Sequence, residues 1–343
     1  MEQGSRMRRW IFALGVMGAA VTFPGHAAAP AGITLPHDPN LVTLATLLKP
    51  ADDQVDLAKA EVTVERMVDP RVNASATLKD LDAWADKVRG RIPPGASNMD
   101  KLIVLNTTLY QPGPWNDNHP FSYDFDDPLG NDIQNKLLST YLKTRKGNCV
   151  SMPTLYVILG QKIGLDMTLA VAPLHVFVKF HQDDGTWLNV EATSGGTKRD
   201  ESYVAEYHIQ PRALLTGIYL RPLSRKESVG TMIGTLEEFY AHHRAPEFQL
   251  GLTELALGNN PKDVTSLLMR GTAYYKLLQT RYVSRYTRLT DMTMDQQADY
   301  QMLSNNNQAL FAKAERLGWR EETPEEKAQY LQQIQTIKSG QGG

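Results

Sequence analysis

The sequence predicts an α+β protein in which helices pack on a small antiparallel sheet and are followed by α-helical hairpins. Three observations carry this expectation. Residues 132–159 hold two stretches whose apolar residues recur at helical spacing. Residues 168–192 are rich in β-branched and aromatic residues and fold about the turn signal Asp183-Asp184-Gly185. From about Val229 onward helical patterning returns and runs almost to the end of the chain.

The first residues stand apart. Arg6, Arg8 and Arg9 precede an apolar, small-residue run from Trp10 to Phe23, which ends in Pro24-Gly25-His26-Ala27-Ala28-Ala29. A basic flank, a short apolar run and small residues at its end read as a secretory signal over 1–29, with Met7 an alternative start. A buried N-terminal helix is the competing reading, and the shortness of the run argues against it. No cysteine follows, so no lipid anchor is expected. No later apolar stretch is long enough to cross a bilayer, so the mature chain is expected to lack a transmembrane segment and to be periplasmic or secreted. Two further regions are expected, a helical and mixed domain over 30–228 and a helical region over 229–343.

Loss of the signal removes three arginines and one glutamate and takes the formal charge from -2 to -4. Nucleic acid is therefore not an expected partner, since its binding needs a concentrated basic surface. With 42% hydrophobic residues the chain has ample material for a core.

Residues 38–70 read as two short helices, the first with Leu41, Leu44 and Leu48 on one face, the second with Ala58, Val62, Val64 and Met67. Thr77 to Leu81 opens a third, ended by Ile92-Pro93-Pro94-Gly95, and Met99 to Leu109 makes a fourth. Residues 111–129 are aromatic, acidic and proline-rich without a period, which suits an ordered loop or lid rather than a spacer. One helix is expected over Asp132–Thr144 and another over Cys149–Leu159, separated by Lys146-Gly147-Asn148. Strands follow at Thr168–Ala172, His175–Phe180 and Trp187–Ala192. Beyond them a helix is expected over Thr231–Glu254, another from a cap at Asn260–Asp263 to Leu278, a long polar one over Asp295–Leu317 and a last one over 322–337.

The chemistry centres on Cys149, the only cysteine. It can form no internal disulfide, and no CxxC pair exists for zinc. A free thiol in an oxidising compartment risks stray oxidation. One reading makes it a buried small hydrophobe. The other makes it a nucleophile at a helix start, where unpaired N–H groups, and Arg145 or Lys146 if their heads reach it, favour thiolate. Pro153 keeps the residue near a helix N-terminus rather than in mid-helix.

Among the histidines, His175 is distinctive because it begins the first hairpin strand, while His37, His119, His181, His208, His242 and His243 lie in loops, turns or the C-terminal helices. Period two places Trp187, Asn189 and Glu191 on one face of the return strand. Pairing about the 183–185 turn brings Glu191 near His175, where a carboxylate fixes the imidazole tautomer, with Asn189 a weaker candidate. Oxyanion donors are the Cys149 N–H and one of Asn106, Gln111 and Asn148. Trp115, Phe121 and Tyr123, with Asp124, Asp126 and Asp127, either wall a cleft or pack and cap a loop. Tyr203 and Tyr207 either return to that cleft or pack in the core. The acids lack an EF-hand pattern, and the reading calls for no metal and no other cofactor.

KGNCVSMPTL, APLHVFVKF and WLNVEATSGG, in that order, resemble the transglutaminase-like core of the papain-like cysteine superfamily. Within it the chain is similar to the bacterial branch sharing the N-terminal domain of SirB-type proteins, which often carries tetratricopeptide helices behind the core. The resemblance is strong over about 75–225. It implies a Cys-His-acid triad of Cys149, His175 and Glu191, the cysteine at a helix start and the other two on adjacent strands. Many active members carry aspartate at the third position, and Glu191 marks the subtype. The expected function is cysteine-dependent amide hydrolysis, as in a thiol protease or amidase, or acyl transfer to an amine, on a peptide or protein substrate. The rival is a non-catalytic assembly module that holds a protein partner on its C-terminal helices. Thiol redox is disfavoured, because no second cysteine can resolve the product.

Overall fold

A computed structural model describes residues 38–243 and 246–326, together with 328, 329, 332, 334 and 336. The expected signal over 1–29 and His37 lie outside the described residues, as does much of the expected last helix. The described residues belong to one compact unit.

Four helices open the described chain: α1 (Pro39–Leu47), α2 (Leu57–Val68), α3 (Ala74–Arg89) and α4 (Asn98–Tyr110). Each begins on a residue that supplies an oxygen to the free N–H groups of its first turn: Asp38, Asp56, Asn73 and Ser97. Ser97 and Asp100 do so reciprocally, as a capping box. After α4 the 111–129 segment is ordered. It carries a two-residue strand, β1 (Ser122–Tyr123), which pairs in parallel with β2 (Lys146–Gly147).

The helix expected over 132–144 is broken. A 3-10 turn covers Ile133–Lys136, Leu137 is extended and buried, and α5 (Leu138–Thr144) starts anew. The cause is remote in sequence. Glu65 of α2 presents Oε1 to the Ser139 N–H at 2.9 Å and so caps α5 from another element.

Helix α6 (Ser151–Lys162) leads into the antiparallel sheet β3 (Met167–Ala172), β4 (His175–His181), β5 (Trp187–Glu191), β6 (Gly196–Thr197), paired in that order. Both faces are buried, and the alternation sorts them. Met167, Leu169, Val178 and Phe180 join the main core, where α6 packs on β3 and β4. Ala170, Ala172 and Phe177 face a second cluster built on Tyr203 of α7 (Asp200–Glu206) and Ala213 of α8 (Pro211–Thr216). The outer edge of β3 is covered as well. Leu220 and Leu223 donate their N–H groups to Val171 O and Leu169 O, both at 3.0 Å.

Long helices follow: α9 (Arg225–His243), α10 (Pro246–Asn259), α11 (Val264–Leu278) and α12 (Met294–Leu317). The single helix expected over 231–254 is therefore two, with Pro246 at the start of the second. Proline suits a first turn and cannot continue a helix. Each of these helices packs on the next, and α9 also packs on α2.

Helix α2 carries a buried charge problem. Glu61 and Glu65 lie one turn apart and are both buried. Burial raises Glu65 to about 7, and burial together with the Glu65 charge holds Glu61 well above the ordinary carboxylate value. A carboxyl whose folded value is raised stabilises fully below its unfolded value of 4.5, and that contribution is lost as pH rises through about 7. Glu61→Gln is accordingly expected to raise the melting temperature at about pH 8 and to change it little at about pH 5. Equal changes at both pH values would show that neither carboxyl resists ionisation.

Candidate functional site

The strand register builds the acid-imidazole pair. Val178 lies opposite Val190 in the β4–β5 ladder, so Glu191 is opposite Phe177 and one diagonal step from His175 on the same face. The glutamate side chain spans that step. His175 Nε2 and Glu191 Oε2 are 2.8 Å apart. Each opposes its own burial. Desolvation lowers the proton affinity of His175, but the Glu191 charge and the Cys149 sulfur outweigh it, and the imidazole is raised to about 10. Desolvation likewise acts to raise Glu191, yet the His175 charge and three hydrogen-bond donors hold it down at about 2. The pair is an imidazolium–carboxylate ion pair at neutral pH.

Two of those donors come from outside the pair. Tyr203 Oη donates to Glu191 Oε2 at 3.0 Å, and Thr193 Oγ1 donates to Oε1 at 2.8 Å. Thr193 lies in the turn that follows β5, where strand period does not place its hydroxyl. Tyr203 reaches the site from α7, and nothing local in the sequence sets that distance.

Helix α6 crosses the face that carries Val178 and Phe180, and Cys149 precedes its first residue, Ser151, in the turn before the helix. The half-buried sulfur lies 3.9 Å from the Leu174 carbonyl oxygen. Leu174 belongs to the tight Pro173–Leu174 turn between β3 and β4, and its φ of 56° is a strained conformation for a bulky residue. The sulfur is near enough to raise the proton affinity of His175. It is not in full hydrogen-bond alignment with Nδ1, which is buried without a partner.

The surroundings of Cys149 depart from the sequence expectation in two ways. The Arg145 guanidinium turns away, to the Asn116 and His119 carbonyls and to Asp117, and Lys146 pairs with Asp126 at 3.3 Å. Neither head is aimed at the sulfur. The first helical amides are also partly used, because Asn148 Oδ1 accepts from Val150 N at 3.0 Å and Ser151 N at 3.3 Å. The Cys149 N–H itself has no acceptor among the described residues.

The three side-chain oxyanion candidates occupy different places. Asn148 is buried, with Nδ2 donating to Asn135 O at 3.1 Å, so its amide shapes the Cys149 turn. Asn106 donates Nδ2 to Gly195 O at 2.9 Å and braces the loop after Glu191. Gln111 is exposed at the end of α4, where its carbonyl accepts from Trp115 Nε1 and Asn116 Nδ2. Trp115 stacks under Arg91, whose guanidinium carbon is 3.5 Å from the ring centroid. Among the described residues no contact ties Gln111 or Trp115 to Cys149, His175 or Glu191. Tyr207 does border the site, its ring stacked on His175 at 5.7 Å. Tyr123 is close enough that, after burial, the charges of Cys149 and Glu191 raise its phenol. Asp124 and Asp127 spend their oxygens on neighbouring backbone and amide groups. No cluster of three or more histidine, cysteine or acidic side chains suited to a metal occurs among the described residues.

With this geometry in view, the comparison with protein families is specific in place. The model for the transglutaminase-like superfamily matches residues 75–234. Residues 75–234 form a transglutaminase-like superfamily domain. The match runs from α3 into α9 and encloses Cys149, His175 and Glu191. The chain is also 25% identical over 142 residues to the "UPF0162 protein" of Buchnera aphidicola subsp. Baizongia pistaciae (strain Bp), which is 41% of this chain and 53% of that protein. The chain thus spans about half the length of this curated relative. No solved structure matches. Among the described residues no helix is long and apolar enough to cross a membrane.

Proposed function

We propose that the transglutaminase-like domain is a cysteine-dependent enzyme that hydrolyses amides or transfers their acyl groups to an amine through Cys149, His175 and Glu191. The observation that supports it most is a buried imidazole hydrogen-bonded to a carboxylate on one side, with the lone thiol as its neighbour. Cys149 Sγ, whose proton already rests on the His175 imidazolium, attacks the amide carbonyl carbon and forms a C–S bond. His175 then protonates the amine as the C–N bond breaks, leaving a thioester. Water or a second amine then gives its proton to the neutral His175 and attacks the thioester, and the C–S bond breaks to return the sulfur and the imidazolium to their starting state. The Cys149 N–H is the backbone donor for the oxyanion, while Tyr123 and Tyr207 border the acyl site. The substrate is a peptide or protein amide in a periplasmic or extracellular setting, in keeping with the signal-like residues 1–29. We assign the domain to the SirB-type branch on its KGNCVSMPTL, APLHVFVKF and WLNVEATSGG segments, and read α9–α12 as degenerate tetratricopeptide-like hairpins behind it.

The test is alkylation of native Cys149 by iodoacetamide at neutral pH. The wild type is expected to react at least about tenfold faster than His175→Ala, because the imidazole holds the reactive form of the sulfur. Equal rates, or labelling only after denaturation, would remove the catalytic reading. The stack of α9–α12 would then favour an assembly module that holds a protein partner on those helices. Turnover of a peptide amide with and without a fluorescent primary amine separates hydrolysis from transfer.

A further inference from the structure

We propose that Tyr203 and Thr193 are positioning residues that hold the Glu191 carboxylate in the one orientation that serves His175. This inference rests on the triad reading above. Glutamate has one more rotatable bond than aspartate, and here it must reach diagonally across the sheet. Unrestrained, such a side chain has rotamers that leave the imidazole unpartnered. Three donors remove that freedom. His175 and Tyr203 share Oε2, at 2.8 and 3.0 Å, and Thr193 binds Oε1 at 2.8 Å. Both carboxylate oxygens are thereby fixed, and the plane of the group with them.

Tyr203 is itself immobile. It is fully buried, its ring stacks on Phe177 at 4.3 Å, and the Lys198 ammonium lies 4.6 Å from the ring centroid. Burial, then the Glu191 charge, raises its phenol far above the ordinary value, so it stays a donor across the working pH range. Phe177 also lies opposite Glu191 in the ladder, so one residue packs both the clamp and the acid. The clamp lets the longer acid act where an aspartate has less freedom to lose. The titratable groups facing Glu191 are His175, Cys149, Tyr110, Tyr123 and Tyr203, with Lys198 and Glu206 paired behind Tyr203.

The experiment follows the Glu191 carboxyl carbon by NMR across pH in the full chain, assigned with Glu191→Gln. Tyr203→Phe keeps the ring and deletes one donor, and Thr193→Val deletes the other. Each is expected to move the carboxyl titration upward by about one unit, and the double variant further. The native-state alkylation of Cys149 is expected to fail at correspondingly higher pH on acidification. A packing role alone would lower the melting temperature and leave both titrations where they were. An unchanged carboxyl titration in folded Tyr203→Phe overturns the proposal. If that variant does not fold, the same outcome in Thr193→Val does so. Should His175→Ala leave alkylation untouched, the triad reading fails while the carboxyl titration still decides the clamp.

Discussion

Glu191→Ala is expected to lose about 3–5 kcal/mol of folding stability at mildly acid pH, and much less in strong alkali. The substitution leaves a buried imidazole without its counter-charge and deprives the Tyr203 and Thr193 hydroxyls of their acceptor. The pH window follows from the two shifts. His175 is raised from 6.5 to about 10, so its contribution is complete below 6.5 and is lost as pH rises through about 10. Glu191 is lowered from 4.5 to about 2, so its contribution is complete above 4.5 and is lost as pH falls through about 2. Both are whole only between 4.5 and 6.5. Urea unfolding of wild type and variant at about pH 5.5 and about pH 10 measures the difference. A stability loss of the same size at both pH values would mean that His175 and Glu191 are not an ion pair. Glu191→Gln keeps an acceptor oxygen for the hydroxyls, so its loss is expected to be smaller than that of Glu191→Ala at the acid end.

What was legible in the sequence was what local spacing fixes. The Asp183-Asp184-Gly185 turn sets the hairpin register, and the register sets which residues share a face with His175. Glu191 could therefore be placed by counting. So could the separation of Cys149 from the body of its helix, because Pro153 and Gly147 restrict where that helix starts. The parts that were not legible are set by contacts between distant segments. Glu65 ends the extended link at Leu137 by capping α5 from 74 residues away. Arg145 would favour thiolate only if its head reached the sulfur, and nearness in sequence does not decide that. The residue takes a left-handed backbone conformation, with φ of 57°, and directs its guanidinium into the 116–119 loop. Asn148 is by sequence a candidate either to bind an oxyanion or to cap a helix, and only the fold shows its oxygen on the Val150 and Ser151 amides. Side-chain direction in loops depends on what the loop packs against, and one sequence does not state that.

The turn that carries Cys149 makes the second large prediction. Gly147 pairs with Tyr123 between β2 and β1, and its carbonyl accepts from Asp124 N at 2.7 Å. A Cβ at this position would sit 2.6 Å from Tyr141 Cδ2 and 2.8 Å from Ser151 Oγ. Neither neighbour can yield cheaply. The Tyr141 ring is fully buried against Phe121, with centroids 4.9 Å apart, and Ser151 Oγ accepts from the Asn148 N–H at 3.2 Å. Gly147→Ala is therefore expected to destabilise by about 1–3 kcal/mol, and Gly147→Val by more, as overpacking does in a closed core. The displacement also passes to Cys149, two residues on, so the alkylation advantage over His175→Ala should shrink even where the fold survives. Gly147 is not among the glycines with positive φ, so relief of chain flexibility alone would favour alanine, and a second substitution tests the overlap directly. Tyr141→Leu frees space beside Gly147 and has its own cavity cost. If steric overlap is the cause, the double variant Gly147→Ala/Tyr141→Leu is less destabilised than the sum of the two single variants. Simple additivity in that cycle would reject the overlap as the cause.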